Sequence, residues 1–290
     1  MNTPSDDTKK RQERNLTLFG VLVVLFVFVG MAQSWNVSLA ILNLCLISAI
    51  MTLGVNIQWG YAGIVNFGVM GFAALGGLAG VLVSMPPVAA SWQAGGPELL
   101  LGGAIIMITI VLAVFAASKT QHLGRWRFWI IVGVSLTGYF LLRLLVDPAI
   151  EAIESINPAK AGHIGGLGLP ILLSWVVGGI FAAGAAYVIG KASLGLRSDY
   201  LAIATLGISE IVVYVLKNED WLARGVKNVN GLPRPVPYEV DLQATAWVTE
   251  LAARLGADVN ELSSIIVKLC YAGLFILVLA ILFWLFETAL

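Results

Sequence analysis

SLAILNLCLISAIMTLGVNIQ, residues 38–58, contains no charged side chain. A helix rising about 1.5 Å per residue crosses a hydrocarbon layer about 30 Å thick in about 20 residues, so this stretch has the length and the apolarity of a membrane span. Further charge-poor segments lie at Leu16–Met31, Ala62–Val83, Leu99–Ala116, Phe128–Val146, Leu167–Ile189, Tyr200–Val215 and Ser264–Phe286. Together they predict eight spans, the seventh being the weakest because it is short and contains Glu210.

Composition points the same way. Of 290 residues, 59% are hydrophobic and 12% charged, and the mean hydropathy is +0.89, far from the roughly half apolar and quarter charged balance of soluble domains. The expected fold is an all-α polytopic transmembrane helix bundle of about eight spans. Net charge is zero, so no basic field exists to draw nucleic acid. Cys45 and Cys270 lie inside apolar runs and read as small hydrophobes, without a disulfide framework. Leu16–Met31 is followed by Gln33, Ser34 and Trp35 where a signal peptide needs small residues for cleavage, so it reads as a retained first helix behind a tail at residues 1–15.

The lysine and arginine bias sets the expected orientation. With the N-terminus and Lys9, Lys10, Arg11 and Arg14 in the cytoplasm, Lys119, Arg125, Arg127, Lys191 and Arg197 also fall inside. Asp147, Glu151, Glu154, Glu219 and Asp220 then fall outside, as does a long loop at about residues 216–263. Trp35, Trp59, Trp126, Trp129, Trp221 and Trp284 sit near span ends, where an amphipathic indole prefers the headgroup level. Within the outer loop, Ala244, Trp247, Val248, Leu251, Ala252 and Leu255 recur at helical spacing between Asp241, a cap candidate, and Gly256, a stop. This predicts an outer amphipathic helix that either covers the bundle or offers a docking face.

No catalytic constellation is visible. The two histidines, His122 and His163, fall in loops on opposite sides of the membrane, which excludes a metal cluster built on them. Gly184–Gly190, Lys191 and Ala192 miss the phosphate-loop pattern by one residue and lack its hydroxyl, so any ATP used is bound by another chain. No cofactor and no resident metal are expected, and the chain reads as a non-enzyme.

Two segments are unusual. GYAGIVNFGVMGFAALGGLAG, residues 60–80, carries Gly60, Gly63, Gly68, Gly71, Gly76, Gly77 and Gly80. Such glycines either let helices pack closely, most plainly at Gly76 and Gly80, or mark a broken segment lining a cavity, with Tyr61 and Asn66 as its polar groups. The second segment, Leu194–Asn218, starts a helix at the inner surface with Ser198 or Asp199 as cap, and places Glu210 about 16 Å deep, near the bilayer midplane. A carboxylate there needs a partner, for which Lys268, Lys217, Thr205 and Ser209 are candidates; Glu210 is then either a structural lock or a gate. Arg143 and Asp147, four apart, read as a boundary pair.

These two segments also carry a resemblance. Residues 60–80, preceded by LNLCLISAIMTLGVNIQW, resemble the early glycine-rich signature of the branched-chain amino-acid ABC transporter permeases. LGLRSDYLAIATLGISEIVVYVLKNEDWLARGVKNVNGLPRP resembles that family's later signature, of the LivM type. The resemblance covers about Leu39–Pro235, and departs from the family at Val69, where many relatives have histidine or glutamine, around Gly95 and near Trp247.

The resemblance implies a permease subunit in the inner membrane, paired with a homologous second permease, two cytoplasmic ATPase subunits and an external solute-binding protein. Tyr61, Asn66, Thr205 and Glu210, polar groups of the two unusual segments, are expected near its path, and the resemblance implies a cytoplasmic coupling segment beyond Leu290, which would make this chain a truncated portion. Relatives for urea or short amides share the early signature. An ion-coupled secondary transporter using Glu210 and a membrane scaffold with a dry glycine interface are the other readings.

Overall fold

A computed structural model describes residues 4–120, 124–156, 162–193, 195–227 and 229–289; His122 lies outside the described residues. Among them are eleven α-helices and no strand. Seven helices are long and apolar enough to span a bilayer, and an eighth apolar helix, Val69–Ser84, is shorter. The protein is thus an all-α polytopic membrane helix bundle. It divides into two compact units, one formed by the chain up to Ile64 and from Arg234 onward, the other by Val65–Pro233.

In the first unit, α1 (Pro4–Ala32) and α2 (Trp35–Asn56) form a hairpin. The turn is tight because Gly30 has no side chain to meet the Trp35 ring, which a Cβ would approach to 2.7 Å. Ser34 caps α2 by accepting from Val37 N, and Ser38 donates to the Phe26 carbonyl at 2.7 Å across the hairpin. α1 begins at Pro4, so the basic residues ahead of the first span continue its helix. The last helix, α11 (Val259–Ala289), packs on α2. Lys268 on α11 donates to both the carbonyl and the side-chain oxygen of Asn36, at 3.1 and 2.9 Å, and its own carbonyl accepts from Asn43. Lys268, a candidate partner for Glu210, is therefore committed to α2 instead.

The outer amphipathic helix is present as α10 (Ala246–Leu255), behind the short α9 (Glu239–Gln243). Its start differs from expectation: Asp241 lies inside α9, and Thr245 takes the cap position, its hydroxyl donating back to Leu242 O instead of accepting from an α10 N–H. Gly256 ends it in the left-handed conformation, φ 65°, as a helix stop should. Val248 and Ala252 are fully buried with Val236, Leu242, Leu262 and Val267. Part of the apolar face thus packs on this unit, while Trp247, Leu251 and Leu255 stay exposed beside it.

In the second unit, α4 (Ala89–Lys119) and α5 (Arg125–Ser155) form a long hairpin. Small residues set its closeness: a Cβ on Gly95 would stand 2.7 Å from the Ala149 carbonyl, and Gly138 abuts Thr109. Arg143 and Asp147 pair at 2.7 Å, exposed, as their spacing predicts. Helix α6 (Ile171–Ser193) packs on α3 (Val69–Ser84), with Gly178 against Gly76 and Ala79. α7 (Ser198–Asn218) packs on α3 and α6. Arg197, extended and without a side-chain bond, is the cap of α7, so neither Ser198 nor Asp199 serves as one.

The first residues of the expected sixth span, Leu167–Pro170, are not helical and belong to an irregular segment, 162–170. It runs past the end of α3, where Leu167 N donates to Leu82 O, Leu169 N to Val83 O and Gly168 N to Met85 O. These are carbonyls that a helix end leaves without intrahelical partners, so the segment completes the C-terminus of α3.

Candidate functional site

The third expected span is where sequence and structure part most clearly. Ala62–Val83 is not one helix: α2 ends in a π-helical turn, Ile57–Tyr61, then residues 62–68 are irregular, and α3 starts only at Val69. Gly63 takes φ 65°, a left-handed conformation that glycine adopts without strain. A break of this kind at membrane depth frees backbone N–H groups that lipid cannot satisfy.

α7 satisfies them. Asn66 first turns the chain by accepting from Gly68 N at 2.7 Å through its side-chain oxygen. Thr205 Oγ1 donates to Ala202 O at 2.9 Å and accepts from Phe67 N at 3.2 Å. One turn further along α7, Ser209 Oγ accepts from Gly71 N at 2.8 Å. Both hydroxyls are buried, at 5% and 4% exposure. The approach needs glycine: a Cβ on Gly68 would stand 2.8 Å from the Thr205 carbonyl, and one on Gly71 3.0 Å from Ser209 Cα.

Asn66, Gly68, Gly71, Thr205 and Ser209, with Phe72, Leu75, Ile189 and Val212, line a cavity of about 10 Å³. That is room for at most a single water, so the chain as arranged here is closed to an amino acid at this point.

Of the residues expected on a path, Asn66 and Thr205 therefore meet. Tyr61, in the first unit, ends the π-helical turn with its ring edge-on to Phe286, centroids 5.0 Å apart, and is exposed. Glu210 lies on the exposed side of α7 and makes no hydrogen bond or ion pair among the described residues. Thr205 and Ser209, considered as its partners, face α3 and serve the backbone there. The glycine-rich run serves several purposes: a turn at Gly63, seating on α7 at Gly68 and Gly71, and helix packing at Gly76.

A second polar cluster was not legible beforehand. Ile164 N donates to Trp221 O at 2.9 Å, Trp221 N to Glu154 Oε1 at 3.2 Å, and Trp221 Nε1 to Glu219 Oε2 at 2.6 Å. They tie segment 162–170 and the end of α5 to the short α8 (Asp220–Ala223). Beside them, His163 is buried at 3% exposure, and neither ring nitrogen has a hydrogen-bond partner among the described residues. Burial, and then the Arg224 guanidinium, hold its pKa below the ordinary value.

This gives a pH dependence with a definite sign. Below about pH 6.5 the unfolded chain takes up a proton that the neutral, buried His163 resists, so stability is full above that pH and falls as acid is added. We expect His163→Phe to remove this component, worth at most about 1.4 kcal/mol per pH unit, from the thermal unfolding of detergent-solubilised protein between pH 7 and pH 5. Identical pH slopes for the two proteins would exclude it.

Fold and site together define a multi-pass helical membrane protein with one span broken and re-seated on a neighbouring helix. Among characterised proteins, the chain is 34% identical over 121 residues to the high-affinity branched-chain amino acid transport system permease protein LivM of Escherichia coli K12, covering 41% of this chain and 28% of that protein. It is 33% identical over 116 residues to the protein of the same name from Salmonella typhimurium LT2, covering 39% and 27%. The match thus spans little more than a quarter of these relatives' length. No family model matches the chain, and no solved structure does.

Proposed function

We propose that this chain is the membrane-spanning permease subunit of an ATP-driven importer, translocating branched-chain or other small amino acids delivered by an external binding protein. The observation that carries the reading is the broken third span, with its backbone seated on two buried hydroxyls of α7 beside a cavity closed to substrate. Irregular backbone at membrane depth is tolerated where it is buried in protein or lines an aqueous cavity, and a constriction of this kind can open by parting two helices. The partial likeness to two LivM proteins supports the choice of cargo.

In this reading Asn66 and Thr205 line the narrow part of the path, and Tyr61 belongs to the same glycine-rich segment. The N-terminus is cytoplasmic and the membrane is the cell's inner or plasma membrane, in keeping with the lysine and arginine bias. A homologous second permease, two ATPase subunits and the binding protein complete the machine. Hydrolysis takes place on the ATPases, and their ATP-bound and ATP-free states bias this chain between inward-open and outward-open arrangements.

The test is leucine uptake into vesicles carrying the permease with its co-purifying subunits and binding protein. Uptake is expected to require both ATP and the binding protein, with leucine outcompeting urea and short amides. One observation favours a second reading: Glu210 is an intramembrane acid without a partner among the described residues, as a proton or sodium site in a secondary transporter would be. Uptake that follows an ion gradient and survives ATP depletion would select it over the first.

A further inference from the structure

The two sides of α7 differ in kind. Leu201, Ala202, Thr205 and Ser209 are buried. On the other side, Ile203, Gly207, Glu210 and Tyr214 stand on one line of the helix, at spacings of four, three and four, and all four are exposed. Ile203 and Tyr214 are 68% and 69% exposed, as large as any uncovered apolar side chains on this helix.

Glu210 is the thirteenth residue of a 21-residue helix, about 18 Å from its inner end and near the middle of the hydrocarbon. A carboxylate at that depth facing lipid is expensive, and such groups turn to a protein interior or a water-filled cavity and pair. Among the described residues Glu210 has no pair. Lys268 is held by Asn36, and Lys217, two turns further along α7, makes no ion pair with Glu210.

We propose that the Ile203–Gly207–Glu210–Tyr214 face of α7 is covered in the membrane by a transmembrane helix of a second, different protein chain, which approaches closely at Gly207 and donates a hydrogen bond to Glu210. The uncompensated acid says what the cover must carry, a donor at mid-membrane depth. Gly207, with nothing within 4 Å of where a Cβ would stand, leaves the opening for a close approach. A second copy of this chain fits badly, because a two-fold contact through this face sets Glu210 against Glu210. The inference rests on the permease reading only for the partner's being a second permease.

The test uses the full chain in its native membranes, with the photoreactive residue p-benzoylphenylalanine placed singly at Ile203 or Tyr214, and at Ile180 on α6, which is 63% exposed, as control. Adducts are resolved on denaturing gels and sequenced by mass spectrometry. Both α7 positions are expected to give an adduct with the same membrane-spanning protein, absent from Ile180. Glu210→Leu is expected to lower its yield about threefold, the size of one interhelical hydrogen bond in a membrane, whereas Glu210→Gln, which still accepts, keeps it. Adducts with lipid alone, with a second copy or with another part of the same chain would overturn the inference, as would a yield indifferent to Glu210→Leu. A Glu210-dependent adduct in vesicles without ATP-driven uptake would retire the permease reading and leave the interface. ATP-driven uptake with lipid adducts alone would do the reverse.

Discussion

Gly165→Ala is expected to cost the protein about 3–5 kcal/mol, and Gly63→Ala only about 1–2 kcal/mol, although both glycines adopt left-handed backbone. The shared part is the strain of placing a Cβ at φ 74° or 65°. The difference lies in what the new atom meets. At Gly63 nothing lies within 4 Å. At Gly165 the Cβ would press into the Pro86 carbonyl and stand 2.9 Å from Val88 N. Those are backbone atoms, and no side-chain rotation clears them.

Segment 162–170 would have to lift, and with it go the bonds from Leu167, Gly168 and Leu169 that satisfy the carbonyls ending α3, together with the Val88-to-Ile164 bond. Thermal unfolding in detergent, with the two variants side by side, separates strain from collision. Equal losses would mean that the segment does not hold the end of α3.

What the sequence makes legible, and what it hides, divides along a physical line. Transfer to lipid is nearly additive over residues, so spans such as α2, α5 and α11 can be read from charge-poor runs alone, Arg143 and Lys268 notwithstanding. The orientation of a side chain is not additive. Glu210 can be placed at mid-depth by counting, but whether it faces α3 or the outside depends on how α7 is turned, and two buried hydroxyls decide that.

Helix starts were misread for a related reason. Ser198 and Asp241 are good caps by type, yet the chain enters α7 through Arg197 and divides α9 from α10 at Thr245. The broken third span is the instructive case. Its glycines are visible in sequence, but the acceptors that make the break affordable lie 138 residues away.

Removing those acceptors is expected to loosen the constriction. In Thr205→Val the Phe67 N–H loses its partner, at a cost of about 1–3 kcal/mol if nothing replaces the hydroxyl, whereas in Ser209→Ala the Gly71 N–H keeps its bond to Gly68 O and loses only its second acceptor, at about 1 kcal/mol. The cavity beside them holds one water at most, so a single variant can be partly rescued by a water taking the hydroxyl's place, and the double variant cannot. The double variant is therefore expected to lose more than the sum of the single effects, up to about 4 kcal/mol, which moves an equilibrium by nearly three powers of ten.

The readout is labelling of Phe72→Cys, half-buried in the cavity wall, by a hydrophilic thiol reagent, alongside leucine uptake in the same vesicles. Labelling should rise steeply and uptake fall in the double variant, and Thr205→Ser, which keeps the acceptor, should match the parent in both. Slow labelling that persists in the double variant would mean that Gly68 and Gly71 seat the segment by shape alone, and that the hydroxyls do not hold the path shut.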